Sequence, residues 1–110
     1  MQQGAAKVEN KIFQALADPS RRAILESLTR GEAAVKDLTA RFDISQPAVS
    51  QHLSTLKGAG LVNSRRAGRR VYYRVRPRGL KPLVDWIAHY RVFWTERVGR
   101  LERLLESMDE

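Results

Sequence analysis

The chain contains no cysteine. That removes disulfides, thiolate metal ligands and thiol nucleophiles together. It has no run approaching eighteen apolar residues, and its first ten residues are mostly polar, so neither a signal peptide nor a membrane span is expected and the protein is placed in the cytoplasm. It also lacks paired acids, a credible nucleophile with its base and a phosphate-cradling glycine loop. Nothing in it supports an enzyme, and no cofactor is expected.

A further absence is local. Between Asp43 and Asp85 there is no acidic residue, while Lys57, Arg65, Arg66, Arg69, Arg70, Arg74, Arg76, Arg78 and Lys81 all fall inside that interval. The formal charge of +8 on 110 residues is therefore concentrated in the middle of the chain. A long cationic stretch without compensating carboxylates points to a polyanionic partner. At this length the chain is one domain with a thin core, and an oligomer is expected to cover part of its apolar surface.

The segment at the start of this interval is SQPAVSQHLSTLK, Ser45 to Lys57. With Ser45 as N-cap and Pro47 in the first turn, Val49, Leu53 and Leu56 share one side of a helix. Gln46, Pro47, Ser50, Gln51 and Ser54 fall on the other. That second side is polar, short and uncharged, which suits close approach and hydrogen bonding to base edges. The preceding GEAAVKDLTARFD has a helical stripe at Val35, Leu38 and Phe42, and the break through Asp43, Ile44 and Ser45 is short. Two helices so joined, at Glu32–Phe42 and Gln46–Lys57, form a helix-turn-helix.

Before this pair, Met1 to Ala6 is expected to be frayed. A first helix from Lys7 to about Ala17 places Val8, Ile12, Phe13 and Leu16 together, and Asp18-Pro19 ends it and caps the next. The second helix, Ser20 to Arg30, buries Ile24, Leu25 and Leu28 and stops at Gly31. After the pair, Gly58-Ala59-Gly60 ends the reading helix and a β-hairpin follows, starting at Leu61 and Val62 and turning at Ala67-Gly68. On its return strand Val71, Tyr73 and Val75 alternate with Tyr72 and Arg74. The tip gathers Arg65, Arg66, Arg69 and Arg70, whose mutual repulsion suits a wing against phosphates better than a packed turn.

Beyond Pro77 and Gly79 the spacing predicts a last helix from about Leu80 to Ser107, roughly 40 Å long. Leu83, Ile87, Tyr90, Trp94, Val98, Leu101, Leu105 and Met108 recur at threes and fours, widened by Trp86, Phe93 and Leu104. One small domain cannot cover such a face, so a symmetric dimer through the last helix, with the first alongside, is expected. An aromatic ligand pocket is the alternative use of these residues.

The order of elements, with FQALADPSRRAILESL, SQPAVSQHLSTLKGAGLV and RRAGRRVYYRV, resembles the ArsR family of winged helix-turn-helix repressors from about Val8 to Leu105. The resemblance implies a mainly α fold with a β-hairpin wing, in the order α-α-α-α-β-β-α. It also implies a homodimer on an imperfect inverted repeat of double-stranded DNA that represses transcription and usually releases DNA on a signal. The family's metal-sensing patterns are incomplete here. Where an E-x-C-x-C-D-L pattern holds thiolate ligands, this chain has Ala34 and Lys36. Of the D-x-H…H-x-x-E pattern it offers only Asp85, His89 and Glu96. Asp85 and His89, four apart, are read as a local hydrogen bond or ion pair in preference to a metal site, and His52 as a packing residue or phosphate contact. No metal is expected, and the effector is not identified by the sequence.

Gln46, Ser50, Gln51 and Ser54 are thus expected to read bases, with Pro47 beside them. Lys57, Arg65, Arg66, Arg69 and Arg70 are expected to neutralise phosphates or reach a minor groove. Leu83, Trp86, Ile87, Tyr90, Phe93, Trp94, Val98, Leu101 and Leu105 are expected to form the dimer seam. The competing readings are a winged helix that docks an acidic protein as an assembly module, and an architectural DNA-binding factor blind to any signal.

Overall fold

A computed structural model describes residues 10–109, and every structural statement below concerns those residues. The expectations for Met1–Ala6 and for Lys7 and Val8 lie outside them. The described part of the first helix, α1, covers residues 10–16. It buries Ile12 and Ala15, with Leu16 packed against the same core. Phe13 is displaced to the rim, where its ring meets that of Trp86 edge-on at 5.1 Å.

Asp18 then does what its position before proline predicts. It accepts hydrogen bonds from the Ser20 and Arg21 amides at 2.8 and 3.1 Å, capping α2, Pro19–Leu28. Those bonds, the Arg21 one foremost, hold the Asp18 carboxyl below its ordinary range. Ile24, Leu25 and Leu28 are buried, as their spacing requires.

The chain next departs from the expectation. Ala33–Ala34 is a short strand, β1, and the first helix of the helix-turn-helix begins only at Val35. Alanine favours helix intrinsically. Here both alanines are buried, and their backbone pairs antiparallel with Tyr73 and Tyr72. The pairing and burial override propensity. Helix α3 is Val35–Phe42, with the Asp37 carboxylate returning to the Ala34 amide at 3.1 Å. The wing is therefore the outer part of a three-stranded sheet of order β1-β3-β2, not a free hairpin.

Asp43 makes the turn in the left-handed region, φ 50°, and Ser45 caps α4, Gln46–Gly58, by accepting from the Ala48 amide at 3.2 Å. Val49, Leu53 and Leu56 are completely buried and fasten α4 to α2 and α3. The helix ends in a Schellman motif: the Leu61 amide reaches the Leu56 carbonyl at 3.0 Å and the Gly60 amide the Lys57 carbonyl at 2.9 Å. Gly60 occupies the left-handed position with φ 78°.

Strands β2, Val62–Ala67, and β3, Arg70–Val75, pair from Val62 with Val75 to Ala67 with Arg70. Gly68 turns the tip at φ 63°. Tyr73 and Val75 face the core, as alternation predicts. A 3-10 turn, Pro77–Leu80, leads into α5, Lys81–Asp109, which is 29 residues and about 43 Å long. Leu83 packs on the core of its own chain, and Trp86 is half-buried between Phe13 and Tyr90. From Ile87 outward the apolar residues of α5 project from the body, giving the molecule a long dimension of 65 Å.

Candidate nucleic-acid interface

Helix α4 has two faces of opposite character. Behind it, three aliphatic side chains are fully buried; in front, Gln46, Pro47, Ser50, Gln51, Ser54 and Lys57 are all exposed. The inner side fixes the pitch and roll of the helix. The outer side bears amides and hydroxyls short enough to leave the backbone close to whatever it contacts. His52 sits between the two faces, half-buried, with its Nδ1 enclosed and without a hydrogen-bond partner. It is a packing residue at the edge of the apolar stripe.

Wing and helix converge at the N-terminus of α4. A recess of about 300 Å³ is bounded by Lys36 of α3, Gln46 of α4, and Arg69 and Arg70 of the wing tip. Three cations thus flank Gln46, the first residue of α4. Sequence spacing does not place Lys36 beside Gln46, Arg69 and Arg70. It lies before the acid-free interval and is brought there by the turn at Asp43.

The wing arginines are not equivalent. Arg65 sends its guanidinium to Glu32 in a two-pronged pair, Nε to Oε2 at 2.9 Å and a second, shorter prong from Nη2 to Oε1. It also lies over the Tyr72 ring at 5.0 Å from the centroid. The hydrogen bond from Arg65 holds the Glu32 carboxyl below its ordinary range, and Glu32 in turn raises Arg65. Arg65 therefore clasps the wing base to the segment entering β1, and the acid-free interval is partly compensated by a carboxylate from outside it. Lys57 is engaged too, donating to Ser64 Oγ at 2.8 Å. Among the described residues no salt bridge engages Arg66, Arg69 or Arg70.

No cluster of three or more histidine, aspartate or glutamate side chains among the described residues is placed to hold a metal ion. The Asp85 carboxylate accepts from Lys81 Nζ at 2.7 Å, and the His89 ring stands edge-on to Tyr90 at 4.8 Å. The ion-pair partner of Asp85 is thus the lysine one turn before it, not His89. Among the described residues no helix is long and apolar enough to cross a membrane.

A family model described as "Bacterial regulatory protein, arsR family" matches residues 18–64, from the α2 cap to the middle of β2. The chain is 43% identical over 98 residues to the HTH-type transcriptional regulator Rv2034 of Mycobacterium tuberculosis, an alignment spanning 89% of each chain. It is 35% identical over 81 residues to the transcriptional repressor SdpR of Bacillus subtilis, covering 74% of this chain and 90% of that one. Its fold matches that of an ArsR-like transcriptional regulator from Rhodococcus sp. RHA1 with a TM-score of 0.74 at 28% identity, over 92% of this chain and 95% of the other. Sequence and fold agree, and the chain belongs to the ArsR family of winged helix-turn-helix transcriptional regulators, not to any class of enzyme.

Proposed function

We propose that this regulator is a cytoplasmic repressor that binds, as a homodimer, an inverted repeat in promoter DNA. The observation that carries the reading is the exposed face of α4, uncharged from Gln46 to Ser54, with Lys36, Arg69 and Arg70 around its first residue. In this arrangement Gln46 and Gln51 are the candidates for the two-pronged amide contact with adenine, while Ser50 and Ser54 adapt to neighbouring bases. Lys36, Arg66, Arg69 and Arg70 supply the phosphate contacts. Lys57 acts chiefly by holding the wing against α4, and Arg65 by clasping the wing base to Glu32 ahead of β1.

The dimer is supported by α5. Ile87, Trp94, Val98, Leu101 and Leu105 are each at least half exposed, and Tyr90 and Phe93 more than a third. A soluble monomer rarely leaves so continuous an apolar strip uncovered. A second α5 packed along it buries the strip and sets two reading helices about a twofold axis, which suits half-sites separated by one helical turn or a small multiple. Repression is the role of the similar SdpR and is compatible with a protein that occludes a promoter.

The test is a gel shift with the DNA upstream of the protein's own coding sequence. A discrete complex that survives excess unrelated duplex is expected. Equal displacement by every duplex, or binding only to acidic protein, overturns the reading.

A further inference from the structure

We propose that the cleft between the end of α2, the base of the wing and the start of α5 binds a small organic carboxylate with an apolar body, and that filling it weakens the hold on DNA. The cleft is broadly open to solvent and has a volume of about 900 Å³. That lies within the roughly 300–1,000 Å³ typical of small-molecule sites. Its apolar wall is formed by Leu28, Val75 and Val84, the last 58% exposed. Its polar wall is formed by Thr29, Arg30, Glu32, Arg65 and Arg74, with Arg30 paired at 3.9 Å to Glu26 outside the cleft.

The charge on that polar wall is unbalanced. Arg65 occupies both oxygens of Glu32, and Arg74 adds to the positive field on the same carboxylate. Arg65 and Arg74 thus share one acid beside an apolar surface, and Arg30 adds a third guanidinium at the rim. An uncharged apolar molecule leaves the second guanidinium without a new partner. A small hydrophilic anion leaves the apolar wall wet, and a cation is repelled. A monocarboxylate on a hydrocarbon body satisfies both walls, because paired guanidinium N–H groups match the two carboxylate oxygens.

Coupling to the wing follows from the clasp. Arg65 is on β2, two residues from the last residue of that strand before the tip. A carboxylate in the cleft competes with Glu32 for Arg65 and Arg74 and so loosens the base of the wing that carries Arg69 and Arg70 at its tip. The coupling rests on the DNA-binding reading of the wing; the binding site itself does not.

Octanoate is the probe, titrated into the full-length chain by isothermal calorimetry, with octan-1-ol and acetate as comparisons. Saturable binding of one octanoate per chain is expected, with both comparison molecules at least tenfold weaker. Arg74→Gln on the polar wall and Val84→Trp on the apolar wall should each weaken octanoate about tenfold, and Arg100→Gln, far along α5, should not. The exposed strip of α5 also attracts hydrocarbon. Binding there is followed equally by octanol and is indifferent to Arg74→Gln, and that outcome, like no octanoate binding at all, overturns the site.

The second measurement is fluorescence anisotropy of a labelled promoter duplex at fixed salt. Saturating octanoate should lower duplex affinity at least fivefold for the unmodified chain and leave Arg74→Gln nearly unaffected. Octanoate binding without any change in duplex affinity overturns the coupling. A chain that binds no duplex in the absence of octanoate contradicts the DNA reading, and calorimetry still decides the site.

Discussion

At Gly79 the 3-10 turn passes so close to the end of α4 that a β-carbon there would overlap the carbonyl of Gly60. Neither partner is a flexible side chain, so the clash cannot be relieved without moving backbone. Gly79→Ala is expected to destabilise the fold at the upper end of the roughly 1–3 kcal/mol typical of overpacking, read as a lowered midpoint in urea; an unchanged midpoint contradicts the close approach. On the exposed face the consequences are of another kind. Gln51→Ala should leave stability nearly intact and remove about 1–3 kcal/mol of discrimination at one or two base positions, visible in a randomised-site selection. Unaltered preference there refutes its reading role. The capping residues Asp18 and Ser45 and the buried trio Val49, Leu53 and Leu56 are legible in the sequence because each acts on neighbours within a turn or two. Glu32 is not, since its partner Arg65 lies 33 positions away and only the folded sheet joins them.

The elements show the same division between local and distant causes. Helices α2 and α4 are legible from caps, stripes and terminal glycines, all written within the segment that folds. Strand β1 reads as the beginning of a helix because two alanines carry no strand signal of their own, and the β3 backbone that recruits them is about forty residues further on. The wing is legible as a hairpin but not as part of a three-stranded sheet. Its basic tip makes a prediction at this scale. Replacing Arg69 and Arg70 together by alanine should weaken binding to every duplex and flatten the plot of log affinity against log salt by about 0.9 for each phosphate that is no longer neutralised. Arg65→Ala differs, because its guanidinium is committed to Glu32 and Tyr72. An unchanged salt slope for the double variant removes the wing from the interface.

For the whole molecule, the separation of charge from hydrocarbon is the organising fact. The acid-free interval supplies α4 and the wing, and the apolar repeat supplies α5, so both halves of the candidate function are visible in outline from the sequence. How the halves are divided between one chain and a partner is less so. Leu83 and Trp86 belong to the seam by spacing but spend themselves largely on their own domain, whereas Leu101 stands 54% exposed. Leu101→Glu is therefore expected to yield a folded monomer by sedimentation and to abolish full-site binding at the same time. A monomer that binds the complete site as tightly as before breaks the link between pairing and recognition.

The packing of Gly79 on Gly60 bears on how such a pair would behave. There the exit of one helix rests on the threshold of another, main chain against main chain, with no pliable side chain as a cushion. A tilt of the long α5 arm then bears directly on the end of α4, the helix proposed to enter the groove. In the proposed dimer the distance between the two DNA-facing helices is geared to the angle at which the arms cross.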